Sequence, residues 1–340
     1  MPRFMIAATF ALALLTAAPA AADAPRVVVS IAPLHSLVSA VAGDRADPHL
    51  IVPAGQSPHT FSLAPSDARA LARADIVFSA GGATDRFLES SVDALAGDAS
   101  HARLLDMEDV QTLEARSGGA WRHDHDHATG ENEEHDDAHA GDHDEGHDDE
   151  HGDEHEATHK KSADADIDPH AWLDPRNAIA FVRVAAERLA RLDPEHADGY
   201  RANADAAIER IEAIDAALRE QLAPVTERPY LVFHDAYQYF ERRYGLTPVG
   251  SIVVDPGRPP GARRLSELRD RIEAEGVNCL FVEPQFEPRI ASTIAEGTGA
   301  RIAELDPLGA RLSPGPDLYP ELLRQLGASL SDCLAGSGDP

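Results

Sequence analysis

Short runs rich in β-branched and aromatic residues alternate along this chain with stretches whose apolar residues recur every three or four positions. That alternation is the signature of βα units and of mostly parallel sheets. Arg26–Ile31 reads as a first strand, followed by a helix over Pro33–Ala42. His49–Val52 reads as a second strand, Pro65–Ala74 as a short helix and Asp75–Ser79 as a third strand. Thr84–Ala96 is helical, with Phe87, Val92 and Leu95 as its apolar positions, and Ala102–Leu105 resembles a further strand.

Regular patterning then stops and resumes at Asp168. Asp174-Pro175 combines an N-cap residue with proline at the first helical position, and Ile179, Val182, Ala186 and Leu189 form the inward stripe of the helix it opens. Asp193-Pro194 repeats the start signal. Ala204, Ile208, Ile211, Ile214, Leu218 and Leu222 then keep one face apolar as far as Leu222. A helix of about 28 residues spans roughly 42 Å, enough to cross one lobe and reach another.

Beyond it the βα pattern returns. Strands are expected at Tyr230–Phe233, Thr247–Val254, Val277–Val282 and Ala300–Leu305. Helices are expected at Ala236–Tyr244, Arg263–Glu275, Pro288–Gly297 and Asp317–Leu334. The fold class is therefore α/β: two βα-repeat lobes with mostly parallel sheets, bridged by one long rigid helix. The boundaries read 23–192 for the first lobe, 193–223 for the linking helix and 224–340 for the second lobe.

Composition adds a compartment. Arg3, the apolar run Phe4–Leu15 and small residues at Ala18-Pro-Ala20 or Ala20-Ala-Ala22 make residues 1–22 a secretory signal. The run is shorter than the ~20 apolar residues that span a bilayer. A soluble, exported protein is expected, most simply periplasmic. Only two cysteines occur, Cys279 and Cys333. An oxidising compartment favours their pairing, with a catalytic thiol as the alternative. The formal net charge of −29 argues against nucleic acid or anionic lipid as partner and favours cations.

More than half of that charge sits in residues 123–159, which contain no Lys or Arg. The segment 121–162 is a low-complexity loop inserted in the first lobe. It carries His123, His125, His127, His135, His139, His143, His147, His151, His155 and His159, interleaved with sixteen acidic residues. From His135 onward the histidines recur strictly every four residues. Imidazole is the commonest metal-binding side chain and carboxylates add oxygen donors. The loop reads as a disordered, divalent-cation-collecting segment with auxiliary, low-affinity sites; an acidic solvated linker is the plainer alternative. His155-Glu-Ala-Thr-His159 fits the zinc-protease motif H-E-x-x-H, which needs a packed helix. Its flanks are glycine-containing and low in complexity, so the match is discounted.

Seven histidines lie elsewhere. His59, His170 and His234 stand where a strand or extended segment gives way to a loop, and Asp306 ends a strand in the second half. Ligands of open α/β sheets bind beyond the carboxyl ends of strands, so these four are candidates to converge between the lobes. Taken singly, each histidine is more simply a surface or hydrogen-bonded residue. Five segments bear on this: Gln56-Ser-Pro-His59 with Pro65-Ser-Asp67, Asp168-Pro-His-Ala-Trp172, Tyr230-Leu-Val-Phe-His-Asp-Ala-Tyr237, Val282-Glu-Pro-Gln-Phe286 and Leu305-Asp-Pro-Leu-Gly309. In kind and order they resemble the high-affinity zinc-binding proteins of bacterial ABC importers, the ZnuA-like family, over essentially the whole mature chain. The acidic histidine-rich insert is a further likeness.

The resemblance implies a metal site in the interlobe cleft with His59, His170 and His234 as zinc ligands, and a Cys279–Cys333 disulfide. Asp306 is the candidate fourth ligand, with water or a nearby glutamate as alternatives. A third imidazole favours Zn²⁺ over Mn²⁺. Where some relatives have a further histidine this chain has Ser251, which puts an auxiliary site there in doubt. The implied function is capture of Zn²⁺ and delivery to an inner-membrane ABC permease with its cytoplasmic ATPase, by a monomer that is not an enzyme. Alternatives are a manganese or iron binder, a periplasmic zinc buffer or metallochaperone, and a zinc hydrolase, for which no base-bearing motif is present. His49, His101 and His196 are read as structural, and His35 as a possible cleft residue.

Overall fold

The computed structural model of the chain describes residues 23–97, 99–116, 167–253, 256, 260–287 and 289–336. The signal-like residues 1–22 and the histidine segment 123–159 lie outside them.

Two four-stranded, all-parallel sheets organise the chain. The first contains β1 (Val27–Val29), β2 (His49–Leu50), β3 (Ile76–Ser79) and β4 (Ser100–Arg103) in the order β2-β1-β3-β4. Its crossovers carry α1 (Ala32–Ala42), α2 (Pro65–Leu71) and α3 (Arg86–Leu95). Then come α4 (Pro175–Leu192) and α5 (Ala197–Leu222). The second sheet contains β5 (Tyr230–Val232), β6 (Pro248–Ser251), β7 (Cys279–Val282) and β8 (Arg301–Glu304) in the order β6-β5-β7-β8. With it go α6 (Gln238–Tyr244), α7 (Ala262–Glu275) and α8 (Arg289–Ala295), and α9 (Leu318–Ala335) closes the chain. Both sheets have the same winding. Each therefore has its topological switch between the two central strands, β1/β3 in one lobe and β5/β7 in the other, where ligands gather beyond the carboxyl ends.

The central strands are apolar because both faces are covered. Val27–Val29, Ile76–Phe78 and Tyr230–Val232 are buried throughout. In the second sheet, alternate residues divide between two cores, as a two-residue period requires. Tyr230, Val232, Cys279 and Phe281 join the large core that runs through the first lobe, α5 and α9. Leu231, Phe233 and Leu280 face a smaller core with Leu268, Ile272 and Ile294. One sheet is thus packed on one side by its own helices and on the other by the spine of the molecule.

That spine is α5 with α4, α1 and α9 against it. Ala204, Ile211, Ile214, Leu218 and Leu222 of α5 are buried, and Ile208 packs from the edge. At Gly327 of α9 a Cβ atom would stand 2.2 Å from Leu218 Cδ2, so a larger residue there would force the Leu218 side chain to move. The Cys279–Cys333 disulfide ties β7 to α9.

Two local expectations are revised. The polar run Ser100–Arg103, not Ala102–Leu105, forms β4. As an outer strand it tolerates polar residues, while Leu104 and Leu105 enter a 3-10 turn and plug the core. Asp174 caps α4 through a 2.9 Å bond from the Arg176 amide, but Asp193 caps no helix. Its buried carboxylate instead accepts from Arg45 Nε at 2.7 Å and the Tyr200 hydroxyl at 3.0 Å, and pairs with the His196 ring at 3.0 Å. A 3-10 turn, Pro194–His196, therefore separates it from α5, which has 26 residues.

The lobes are joined by buried polar bonds as well as by α5. Tyr239 donates its hydroxyl to the Asp168 carbonyl at 2.8 Å. Trp172 donates its indole N–H to the Pro307 carbonyl at 3.0 Å, and Tyr319 donates to the Trp172 carbonyl at 2.8 Å. Arg116 pairs with Asp235 and with Glu241, the latter at 2.8 Å. Among the described residues no helix is long and apolar enough to cross a membrane.

Candidate metal centre

His59 lies in the 3-10 turn Pro58–Thr60, reached from β2, with Pro58 fixing its first position. His170 sits at the start of the 3-10 turn Ala171–Leu173. His234 stands two residues beyond the end of β5, at the switch point of the second sheet. Three chain segments far apart in sequence thus deliver three imidazoles to one spot. Their ring centroids stand 5.5, 5.5 and 5.3 Å apart, a nearly equilateral triangle. One nitrogen from each lies within 4.8 Å of the others, and this is the one such His/Cys/Asp/Glu cluster among the described residues. His170 and His234 are buried; His59 is half-buried.

Two carboxylates orient the buried rings. Asp168 Oδ1 meets His170 Nδ1 at 2.8 Å and also accepts the His170 amide at 3.0 Å. Glu283 Oε1 meets His234 Nδ1 at 2.6 Å. Each bond holds Nδ1 as donor and leaves Nε2 as the free lone pair, the arrangement by which carboxylates fix a ligating histidine. His234 Nε2 is buried without a hydrogen-bond partner. Such an orphan is costly and marks a place for a cation or a donor.

Electrostatics fit the same use. Burial, reinforced by the neighbouring His234, holds the His170 imidazole well below its ordinary pKa, and burial pushes the Asp168 carboxyl up to about 7. For His234 burial works downward, but the Glu283 carboxylate outweighs it and raises the imidazole. Burial likewise raises Glu283. Borderline-soft nitrogen donors at a site sparing in charge suit Zn²⁺ better than hard, oxygen-seeking ions.

Space is available on two sides of the triangle. A small cavity of about 10 Å³ is lined by the three histidines with Trp172, Glu283, Gln285, Phe286, Pro307 and Leu308. A larger vestibule of about 490 Å³ touches the same histidines and is walled by Phe61, Arg86, Phe87, Arg116 and Asp168.

Asp306 is not brought into the triangle. Its carboxylate caps the turn that follows it, accepting the amides of Leu308 at 3.0 Å, Gly309 at 3.1 Å and Ala310 at 2.5 Å, together with Gln285 Nε2 at 2.9 Å. A carboxylate so committed to backbone amides has little left for a metal. The orienting residues Asp168 and Glu283 were not singled out by sequence pattern, although both stand inside the quoted motifs; Asp168 precedes its histidine by two residues. His35 hydrogen-bonds the Pro48 carbonyl at 2.9 Å and does not line either cavity. His49 pairs with Asp67, and His101 with Ser79. The ten histidines from His123 to His159 fall outside the described residues.

The whole described body matches one family model, that of the periplasmic component A of zinc-uptake complexes, ZnuA, over residues 27–333. The chain belongs to the ZnuA family. A high-affinity zinc uptake system protein ZnuA of Brucella suis biovar 1 is 46% identical over 309 residues, covering 91% of each chain. Its counterpart from Paracoccus denitrificans is 43% identical over 326 residues, covering 95% of this chain and 96% of that one. Among solved structures, a zinc-bound ZnuA deletion mutant lacking 138–173 superposes with a TM-score of 0.70 at 24% identity, over 94% of this chain and all of the other. Two parallel-sheet lobes about a long helix are thus the ZnuA fold. The histidine triangle lies between the lobes of that fold.

Proposed function

We propose that this chain is the periplasmic zinc-capturing component of an ABC importer, holding Zn²⁺ by the Nε2 atoms of His59, His170 and His234. The observation that carries this reading is the buried triangle of imidazoles, two of them oriented by carboxylates, at the junction of the lobes. His59 and His170 come from the first lobe and His234 from the second, so the ion would bind the lobes to one another. Capture and release suit such a site better than catalysis: among the described residues the carboxylates bordering the triangle are committed elsewhere, Asp168 and Glu283 to the rings and Asp235 to Arg116. The relatives named for high-affinity zinc uptake support the choice of cargo. An inner-membrane permease with its cytoplasmic ATPase would receive the ion, and residues 1–22 would direct export of a monomeric mature chain. The units of that chain would be the lobe 23–192, the helix 193–223 and the lobe 224–340.

The histidines at 123, 125, 127, 135, 139, 143, 147, 151, 155 and 159 would form auxiliary low-affinity sites that feed this one. The roots of their segment support that role. Glu114 and Ile167 form an antiparallel bridge, and Ala115, Arg116 and Asp168 border the vestibule. The test is calorimetric titration of the mature protein with Zn²⁺ and with Mn²⁺, with and without 123–159. One tight zinc site surviving the deletion, with Mn²⁺ bound far more weakly, is expected. Stronger binding of Mn²⁺ than of Zn²⁺ would overturn the choice of cargo.

A further inference from the structure

Three imidazoles leave one position of a four-coordinate zinc ion open, and the carboxylate expected to fill it, Asp306, is spent on a turn. The small cavity beside the triangle is lined by a different polar group. Gln285 lines it, and Gln285 Oε1 is buried with no hydrogen-bond partner. The orientation of this amide is fixed by chemistry. Asp306 Oδ1 lies 2.9 Å from Gln285 Nε2, and an ionised carboxylate only accepts, so the NH₂ end must face Asp306 and the carbonyl end must face away. The same Oδ1 atom is itself held by the amides of Leu308 and Gly309. The turn therefore fixes Asp306, and Asp306 fixes the glutamine.

Two residues that line one small space thus each carry an orphaned buried atom: His234, whose Nε2 offers a lone pair, and Gln285, whose Oε1 lacks a hydrogen donor. A cavity of about 10 Å³ is room for roughly one water molecule. A zinc ion on the three histidines that carries a single water on the cavity side satisfies both atoms at once. The ion takes the lone pair of Nε2, and its polarised water donates to Oε1. We propose that Gln285 is a specificity-determining residue of the zinc site, its amide oxygen accepting the hydrogen bond of a water held in the ion's fourth position. Asp306 is a positioning residue that acts through Gln285. Phe286 and Leu308 line the same cavity and present apolar surface to it.

This inference rests on the three-histidine zinc reading, and the experiment separates the two. Gln285→Leu keeps the bulk of the side chain and removes the acceptor. In protein lacking 123–159, Zn²⁺ affinity and the visible spectrum of the Co²⁺-loaded form are measured for the parent, Gln285→Leu and His170→Ala. Loss of a partner one shell out from a metal typically costs ten- to a hundred-fold in affinity. That loss, with an altered Co²⁺ spectrum and an unchanged melting temperature of the metal-free protein, is the expected result for Gln285→Leu. Should Gln285→Leu fold poorly, Gln285→Asn, which keeps the amide but retracts it by one methylene, serves in its place. Asp306→Asn should weaken zinc binding in the parent but add nothing in the Gln285→Leu background, which a merely structural turn residue would not do. Unchanged affinity and spectrum in Gln285→Leu, alongside loss of binding in His170→Ala, would overturn the role of Gln285 alone. Unchanged affinity in His170→Ala would instead overturn the three-histidine reading.

Discussion

At the scale of single residues, the proposed zinc site depends on groups outside its three histidines. Asp168 and Glu283 each occupy the Nδ1 side of a buried imidazole. They select the tautomer that presents Nε2 and hold the ring in place. Asp168→Asn should therefore lower zinc affinity by roughly ten- to a hundred-fold while leaving the fold intact; competition titration against a chromogenic chelator reads this, and parental affinity in the variant would count against the orienting role. These two residues were within reach of the sequence only as members of motifs. Asp168-Pro-His and Glu283-Pro-Gln-Phe are visible, but which atom each carboxylate contacts depends on a turn and on the meeting of two strands. Asp306 shows the converse. A carboxylate at the end of a strand looks the same in sequence whether it faces a cleft or caps its own turn, and here it caps the turn.

At the scale of elements, apolar periodicity places helices well because a helix repeats over many residues. The buried faces of α4, α5 and α9 follow the three-and-four spacing. Strands of two to four residues carry less pattern, so β2 and β4 differ in extent from their apolar runs. Asp193 looks like a cap and is a clasp instead. Burial alone would raise its carboxyl, but the bonds from Arg45, His196 and Tyr200 outweigh it and hold the pKa at about 2, below the ordinary 3.8. A carboxyl depressed on folding stabilises the native state above its unfolded pKa and loses that contribution as pH falls toward the folded value. Asp193→Asn should therefore melt below the parent at pH 7, with the gap closing between about pH 4 and pH 2; a gap constant across that window would contradict the clasp. The Cys279–Cys333 bond closes a separation of 54 residues, for which chain-entropy arguments allow about 4 kcal/mol. A Cys279→Ser, Cys333→Ser double variant should show a urea midpoint lowered correspondingly, and equal midpoints would deny the bond a stabilising role.

At the scale of the whole molecule, two like-wound lobes are welded along α5 and α9, and the polar ties across the weld surround the triangle. Trp172 neighbours the His170 ring at a centroid distance of 5.2 Å and reaches the Pro307 carbonyl in the other lobe. Tyr239 reaches the carbonyl of Asp168, the residue that orients His170. The alternation of βα units made two lobes legible in the sequence. Which residues would meet between them was legible only through family motifs, because contacts across a cleft leave no local period. The histidine segment is inserted between residues 116 and 167 of this architecture. Its roots are held together by the Glu114–Ile167 bridge and by the Asp168 amide donating to the Leu113 carbonyl at 2.9 Å. Deleting 123–159 should accordingly reduce the number of zinc ions bound while sparing the tightest; loss of the tightest site on deletion would show that the segment belongs to it. The central claim is that His59, His170 and His234 form that tightest site, and its most direct test is the zinc affinity of His170→Ala in the protein lacking 123–159. Removing one of about four ligands should weaken binding by orders of magnitude. A variant that binds zinc as tightly as its parent would contradict both the site and the function assigned to it.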